Sequence, residues 1–357
     1  MRATFLGIKD SENISRGNML SDKCTYQFKV GNKVEEFYIS DDKNYSIRNQ
    51  LMIGFEYNIN IEGDRIISVN LFDKWEENAD GYIPGERTLK NFLMTSLAPL
   101  GKTLYVFGGG WNVQDDGSSK LATSIGVPPT WEKFYDSNSA DYSYKVDTYP
   151  KNGWNRFYYA GLDCSGYVGW TLYNTMYNRT GIHEGFVNSS TKIASLLSKD
   201  YNYGEFTHPD IDDYNKISNS LHPGDIVSIA GHVYIVIGKC DDNSVVIIHS
   251  TVTPSVTGVI GGGVQLSAIS VNGDNDTNCE AYHLAKQYME EYYGEWSQRY
   301  PVVVRPASIY FSFLKEETGI FSWFSNNNGL DDPDGIKDMN ASEVLETIFS
   351  RKSVKMR

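Results

Sequence analysis

The sequence predicts an α+β protein in which a small all-β barrel precedes a domain built from a buried helix on an antiparallel sheet. Three observations carry this prediction. Residues 26–71 alternate apolar and polar side chains between turn-forming dipeptides, as paired strands do. An apolar run follows Cys164 and is long enough for a buried helix. Two β-branched runs flank the turn at residues 241–243, which is typical of a hairpin within a sheet.

The first domain is expected to be all-β because its strand-like runs come in pairs. Gly31-Asn32 punctuates the first pair as a hairpin turn, and residues 62–64 punctuate the second. Strands of this number and length fit a small barrel of the SH3 or OB type. They are predicted at 26–30, 36–40, 55–61 and 66–71.

Turn-rich segments divide the chain into three parts. A linker near residues 76–85 ends the first domain, which is expected at 1–80. The second domain is expected at 81–315 and opens with an amphipathic helix near 86–100. Residues 316–357 are polar and turn-rich, and they are expected to form a C-terminal extension with a short helix.

The residues around Cys164 suit the start of a helix that carries a nucleophile. Asp163 is a favoured N-cap residue, and its carboxylate suits the positive end of the helix dipole. Cys164 then lies in the first turn, where unpaired backbone N–H groups lower the pKa of a thiol and can stabilise an oxyanion. A free cysteine is also a common small buried hydrophobe, so this local pattern leaves the catalytic and the structural interpretation open.

A thiol nucleophile needs a base, and two of the six histidines stand in suitable strands. His232 opens a β-branched run after the tight Ala230-Gly231 corner, and His249 closes the next such run. In antiparallel strands joined by a short turn, the two imidazoles can lie side by side on one face. Cys164, His232 and His249 then supply a nucleophile, a base and a group that orients the base.

Four segments, in order along the chain, resemble motifs of the NlpC family of papain-like cysteine peptidases, which cut the peptide stems of bacterial cell walls. The first contains Tyr105 and resembles the family's Tyr-x-x-Gly-Gly element. The others resemble its nucleophile motif, its base motif and the segment with its third catalytic residue. The resemblance covers roughly residues 88–312, and the four segments are 101–109, 163–166, 223–238 and 248–266.

The resemblance implies a papain-like catalytic domain that hydrolyses murein peptides between γ-D-glutamate and a diamino acid. It implies that Cys164 attacks the amide carbonyl, that His232 is the base and later the acid, and that His249 orients His232. The Cys164 backbone N–H and the Tyr105 hydroxyl are the implied oxyanion donors. Asp163 is implied to bind the free amine of the stem's first residue, with Ser165 as a neighbouring substrate contact.

Three features leave alternatives open. Residues 110–160 are an aromatic-rich insertion, which is either a substrate wall, with Trp111 as a contact, or an elaborated surface loop. Ser190 is either a substrate contact or the cap of a helix predicted at 186–197. A second insertion at 273–299 has helical spacing with its acidic residues on a solvated face, and it is assigned no chemistry.

Composition restricts the classes of partner. The formal net charge of −13 disfavours nucleic acid and anionic membrane surfaces. No run of about 18 apolar residues is present, so no membrane span is expected. Histidines and cysteines lack metal-binding spacing, so no metal and no other cofactor is expected.

The sequence leaves one alternative open for the localisation and two for the function. The first ten residues lack a signal-peptide core, which favours the cytoplasm, whereas removal of a leader would indicate an extracellular or cell-wall location. The alternative enzyme is an amidase or acyltransferase of the same fold that acts on another amide or an ester. The alternative of another class is a non-catalytic cell-wall-binding module, which is disfavoured because all three catalytic side chains are present. Neither the diamino acid of the substrate nor the oligomeric state follows from the sequence.

Overall fold

The computed structural model of the protein describes most of the 357-residue chain. None of its helices within the described residues is both long and apolar enough to cross a membrane. Trp111, a predicted substrate contact, and Cys24 lie outside these residues. The described residues are 1–9, 25–39, 47, 51, 53, 56–71, 81–110, 122–145, 155–177, 185–210, 213–325 and 328–350.

The N-terminal segment forms a closed five-stranded barrel, so the predicted small all-β barrel is confirmed. The strands follow one another around the barrel in the order β1-β2-β3-β5-β4. Strand β1 was not predicted, and it closes the barrel by pairing with both β2 and β4. The five strands are β1 Arg2–Ile8, β2 Tyr26–Val30, β3 Lys33–Ile39, β4 Glu56–Glu62 and β5 Arg65–Leu71.

A seven-stranded sheet organises the second domain, in the order β11-β10-β9-β8-β7-β12-β6. All its neighbouring strands run antiparallel except β10 and β11, which are parallel. The hairpin predicted around residues 241–243 is the β8–β9 pair. The strands are β6 Gly204–Thr207, β7 Ile226–Ile229, β8 His232–Lys239, β9 Val245–Pro254, β10 Ile260–Ser270, β11 Val304–Pro306 and β12 Gly319–Trp323.

The described helices surround this sheet, and α3 lies at the centre of the main core. Every residue of α3 is buried, because the helix packs between α1 on one side and β8 and β9 on the other. The helices are α1 Leu89–Leu97, α2 Pro129–Ser137, α3 Cys164–Met176, α4 Ile193–Lys199, α5 Tyr214–Asn219, α6 Glu280–Tyr292, α7 Gly294–Arg299, α8 Ala307–Tyr310 and α9 Ala341–Phe349.

The two ends of α3 have different neighbours. Cys164 begins the helix, whereas Tyr173 near its other end and Tyr177 just beyond it join the hydrophobic core of the barrel. At 1.5 Å per residue, a 13-residue helix separates its ends by roughly 18 Å. The described contact between the barrel and the second domain is therefore remote from Cys164.

The two inserted segments pack on the domain and on each other. Within the first, Trp131 is fully buried and donates to the Tyr159 carbonyl at 3.1 Å. The Tyr135 ring stacks on Trp296 of α7, with ring centroids 5.5 Å apart. Helices α6 and α7 fulfil the helical prediction for the second insertion, and its acidic residues are exposed as expected, at Glu280, Glu290, Glu291 and Glu295.

Two boundaries differ from the prediction. Strand β12 lies in the sheet between β7 and β6, and α9 packs on β8. The segment after residue 315 therefore supplies part of the sheet domain, although its polar turns suggested an extension. The helix predicted at 186–197 begins only at Ile193, because residues 190–192 form a turn that leads into α4.

Candidate active site

Cys164 is the first residue of α3, as the sequence predicts. Asp163 has the extended backbone of an N-cap, with φ −84° and ψ −176°. Its Oδ1 accepts the Gly166 N–H at 2.7 Å and the Ser165 hydroxyl at 2.9 Å. These bonds fix Asp163 as the N-cap of α3. They hold the Cys164 thiol at the positive end of the helix dipole.

Glycines allow the Tyr105 segment to lie directly on this helix start. The Asp163 N–H donates to the Gly109 carbonyl at 3.2 Å. Gly110 has φ +87°, and a Cβ there would lie 2.6 Å from the Gly166 Cα. A side chain at Gly110 or at Gly166 would force the two backbones apart. The Gly-Gly element therefore serves as a close-packing surface for the first turn of α3.

Tyr105 lies beside the thiol and is held from several directions. Its backbone N–H donates to the Gly262 carbonyl at 2.8 Å, and it pairs with Leu162 just before the nucleophile. Burial raises the pKa of Tyr105 well above its ordinary value, and Cys164 and Asp163 raise it further. The hydroxyl therefore keeps its proton and can donate a hydrogen bond, which is what an oxyanion site requires.

The two predicted histidines meet, as expected for neighbouring antiparallel strands. His232 Nε2 and His249 Nδ1 are 2.8 Å apart, and His249 Nε2 lies 3.0 Å from the Ser267 hydroxyl. In one tautomeric arrangement, His232 donates from Nε2 and keeps Nδ1 unprotonated. That arrangement leaves Nδ1 able to take a proton, and the fully buried His249 ring fixes its direction.

The start of α3, which carries Cys164, meets the start of β8, which carries His232. The backbone N–H of Val233, the residue after His232, hydrogen-bonds to the Cys164 sulfur. The helix start and the strand start are therefore in direct contact. Cys164, His232, His249 and Tyr105, which the sequence predicts as one site, lie together in the structure.

The protonation states differ from the sequence-based expectation. Burial, with a smaller contribution from Asp163, raises the pKa of the Cys164 thiol to about 12. Burial, assisted by Arg305, lowers the pKa of His232 to about 3, and it lowers that of His249 well below its usual range. The expected low thiol pKa is therefore wrong for this structure, because desolvation outweighs the first-turn N–H groups. The resting pair is a neutral thiol and a neutral imidazole.

The remaining predicted site residues have different positions. Asp163 is buried, and burial raises its pKa to about 6. Ser165 is buried and bonded to Asp163, so both side chains already have a local structural role at the helix cap. Ser190 is partly exposed in the turns before α4, and it is not the cap, because Lys192 holds that position. The substrate contacts predicted for these three residues stay predictions.

The sequence did not indicate two residues that lie near the histidines. The Tyr310 ring centroid lies 5.5 Å from that of His232 and 5.9 Å from that of His249. The guanidinium carbon of Arg305 lies 6.0 Å from the Tyr310 ring centroid. Both residues follow the second insertion and belong to no local motif. The parallel pairing of β11 with β10 brings Arg305 to the site, and the Tyr234 hydroxyl donates to the Tyr310 carbonyl at 2.7 Å.

The aromatic insertion reaches the site through tyrosines. The Tyr144 ring packs edge-on against Tyr105 with centroids 5.6 Å apart, and the Tyr142 hydroxyl donates to the Tyr105 carbonyl at 3.2 Å. Asn155 connects this segment to the Gly-Gly element through its N–H, which donates to the Phe107 carbonyl at 2.8 Å. Phe107 is 37% exposed at this edge. The described part of the insertion is therefore packed against the candidate site rather than held away from it.

One cluster elsewhere has metal-ligand chemistry that the sequence spacing did not suggest. Ligand atoms of Cys240, Asp242 and Glu280 lie within 4.8 Å of one another. The carboxylates already accept backbone hydrogen bonds, Asp242 from Glu280 at 2.9 Å and Glu280 from Asp241 at 3.0 Å. These contacts cap the N-terminus of α6, which accounts for the cluster without a metal ion.

Comparisons with known proteins find no family model, no curated protein and no solved structure that matches this chain. The likeness to the NlpC family therefore rests on the four sequence segments. The structure adds that these segments converge at one place, where Tyr105, Cys164, His232 and His249 surround the start of α3.

Proposed function

We propose that the protein is a papain-like cysteine peptidase that hydrolyses murein peptides at the bond between γ-D-glutamate and a diamino acid. One observation carries the proposal: Cys164 at the start of α3 contacts the His232–Val233 strand start, while His232 and His249 are 2.8 Å apart. This is the order of nucleophile, base and orienting group that amide hydrolysis through a thioester needs.

The neutral resting state determines how the first step proceeds. Because the thiol pKa is about 12 and that of His232 about 3, a stored thiolate–imidazolium pair is disfavoured before substrate binds. Proton transfer from sulfur to His232 therefore accompanies the attack on the carbonyl carbon. The new C–S bond forms as the carbonyl electron pair moves to oxygen, and the Cys164 N–H and Tyr105 O–H donate to that oxyanion.

The second half of the reaction returns the site to its starting state. The His232 imidazolium gives its proton to the leaving amine as the C–N bond breaks, which leaves a thioester on Cys164. Neutral His232 then takes a proton from water, whose oxygen attacks the thioester carbonyl. The thiol is regenerated by the same imidazolium, and the acid product leaves.

The substrate class is the part of the proposal that rests most on the sequence resemblance. By the resemblance, Asp163, one residue before the nucleophile, binds the free ammonium of the stem while the thiol meets the carbonyl. That contact favours free stem peptides over intact wall, whose stems are acylated, and it fits a cytoplasmic enzyme that recycles them. The described barrel contact lies at the other end of α3, so the aromatic insertion is the better candidate for a substrate wall. The barrel itself, with parallel β3 and β5, fits the OB type better than the SH3 type.

The test is incubation of the purified protein with defined muropeptides, followed by mass spectrometry of the fragments. A free tripeptide L-Ala-γ-D-Glu-diaminopimelate and its lysine analogue are compared, with the Cys164→Ala variant as the blank. Cleavage of the γ-glutamyl bond by the wild-type protein alone is the expected result. Intact peptides after long incubation, together with turnover of another amide or an ester, would instead establish the alternative amidase or acyltransferase. Binding without turnover of any substrate would indicate the binding module.

A further inference from the structure

The geometry points to a carboxylate-binding subsite at Arg305, which recognises the α-carboxylate of the glutamyl residue on the acyl side of the scissile bond. This inference rests on the proposed function and gives its substrate a charge requirement. Arg305 belongs to β11, beyond the four segments that resemble the NlpC family.

Arg305 is close enough to the catalytic pair to affect its charge. Its guanidinium lies on the Tyr310 ring, which in turn contacts both histidine rings. The cation helps to lower the pKa of both His232 and His249. A positive charge that acts on both histidines also acts on anything bound beside them.

The hydrogen bonds of Arg305 leave its charge without a counter-ion. Its Nη2 donates to the Thr253 hydroxyl at 3.0 Å and to the Val252 carbonyl at 3.3 Å, both of which are neutral. Its Nε is buried and has no hydrogen-bond partner in the described chain. Burial lowers the pKa of Arg305 and Tyr310 raises it, and within the described residues no carboxylate is among the causes of this shift.

Buried charges are as a rule paired, and a guanidinium is suited to carboxylates because its planar donors match the two oxygens. Arg299 is the comparison in the same domain, because its described partners are also neutral: it donates to two backbone carbonyls and lies 4.2 Å from the Tyr135 ring centroid. It differs from Arg305 in that it is not among the groups that lower the pKa of His232 or His249.

The dimensions of a γ-glutamyl substrate fit a contact with the guanidinium of Arg305, a partly exposed residue. In such a peptide the α-carboxylate carbon is four bonds from the scissile carbonyl carbon, about 5 Å away when extended. A carboxylate next to Tyr310 can therefore meet Arg305 while the carbonyl meets Cys164. Tyr310 itself is close to both residues, since Cys164 and Arg305 both affect its pKa.

The first experiment compares two tripeptides that differ only in this group: one with the free glutamyl α-carboxylate and one with its amide. For the wild-type protein we expect kcat/KM to be higher for the free acid by about thirty-fold or more, the loss typical of an unpaired buried charge. Arg305→Gln should bring the two substrates within a few-fold of each other, mainly by slowing cleavage of the acid. Arg305→Lys should restore part of the preference, and Arg299→Gln, the matched control, should keep all of it. Equal rates on both substrates in the wild-type protein, or an unchanged ratio in Arg305→Gln, would overturn the inference.

A second experiment does not depend on peptide cleavage. Iodoacetate and iodoacetamide both alkylate a thiol with loss of iodide, but only the first carries a carboxylate. We expect the ratio of Cys164 modification rates, iodoacetate over iodoacetamide at pH 8, to fall at least about five-fold in Arg305→Gln and to be unchanged in Arg299→Gln. If no muropeptide is cut but this ratio falls, the proposed function fails while the anion site stands. If peptides are cut but the ratio does not change, the Arg305 site fails alone. A purely structural role would slow both reagents equally and leave the ratio unchanged.

Discussion

Cys164 and Cys240 are both buried, and burial raises the pKa of each thiol to about 12, yet their surroundings differ. Cys164 contacts the start of β8 and lies near Tyr105. Cys240 follows the end of the same strand, beside the Ser244 hydroxyl and the carboxylates of Asp242 and Glu280. The direction of the pKa shift therefore does not distinguish the thiol that we propose to be catalytic from the other one. The separation comes from a neighbouring base and from donors placed for an oxyanion.

The helix N-termini beside these two thiols also differ. At α6, the first N–H groups are taken by side chains: Glu280 donates to Asp242 at 2.9 Å and Ala281 donates to Ser244 at 3.0 Å. At α3, the capping carboxylate of Asp163 accepts from Gly166, two residues beyond the thiol. The N–H of Cys164 is then the group in position to receive an oxyanion. We therefore expect Cys164 to take part in catalysis and Cys240 to contribute to stability.

Replacement of the two cysteines gives the largest expected difference. Cys164→Ala should lower the rate of peptide cleavage by about four orders of magnitude or more, because the attacking atom is lost. Cys240→Ala should keep activity within about two-fold and lower the free energy of unfolding by about 1–2 kcal/mol, the usual cost of a small buried truncation. Fragment rates by mass spectrometry and thermal melts measure the two effects. Comparable loss of activity in both variants would abolish the distinction between the thiols.

Replacement of the two histidines distinguishes the proposed base from the residue proposed to orient it. His232→Ala removes the proton acceptor and should cost about 10³-fold in kcat, within the range of general-base catalysis. His249→Ala should leave more residual activity, because His249 orients His232 and transfers no proton. Since His249 is fully buried, His249→Gln is the matched variant that keeps volume and a hydrogen-bonding group. Equal losses for His232→Ala and His249→Gln at unchanged melting temperature would contradict the assigned roles.

The pH dependence of alkylation tests the neutral resting pair. A thiol with a pKa of about 12 gains thiolate tenfold per pH unit, so iodoacetamide modification of Cys164 should rise about 100-fold between pH 6 and pH 8. Cys240 should show the same slope, because burial raises its pKa equally. Peptide-resolved mass spectrometry follows both residues in one sample. A plateau for Cys164 alone would mean a stored thiolate, which is what the sequence pattern suggested.

Local patterns predicted the elements that carry the site, because each depends on neighbours in sequence. The Asp163 cap and the helix after it follow from residue types at adjacent positions, and the pairing of His232 with His249 follows from a hairpin. Strand β1 was missed because its partners include β4, about fifty residues away. The same limit applies to Arg305, which reaches the site through the parallel pairing of β11 with β10.

The thiol pKa could not be predicted because burial is a property of the assembled core. The sequence shows a helix start, which lowers a thiol pKa, but it does not show that every residue of α3 is enclosed. The polar segment after residue 315 misled for a related reason. Its turns indicated an extension, whereas a short apolar strand within it, β12, completes the sheet between two others.

Asp163 gives the smallest expected effects, and they distinguish a helix cap from a substrate contact. Asn is as good an N-cap as Asp, and the bonds from the Gly166 N–H and the Ser165 hydroxyl both use Oδ1, which an amide also offers. The carboxylate also accepts the backbone N–H groups of Ser165 and Gly108. Burial raises the folded-state pKa of Asp163 from 3.8 to about 6. The folded protein therefore takes up this proton first, and its stability relative to Asp163→Asn should rise as the pH falls from about 6 to about 4. At pH 7 the variant should be at least as stable, by up to roughly 3 kcal/mol at 1.36 kcal/mol per pKa unit.

Substrate choice then completes the test of Asp163. An ionised carboxylate pairs with the free ammonium of a stem peptide, a contact whose loss costs about 2–5 kcal/mol. The wild-type protein should therefore prefer a tripeptide over its N-acetyl form by several tens-fold at pH 7. The preference should shrink as the pH falls through 6, because Asp163 gains a proton, and Asp163→Asn should lack it at every pH. The ratio of kcat/KM for the two peptides decides between the two roles. It is measured at each pH, and thermal melts of both proteins are recorded under the same conditions. If the ratio is the same in both proteins while the melts differ as described, Asp163 is a cap and the free amine is recognised elsewhere.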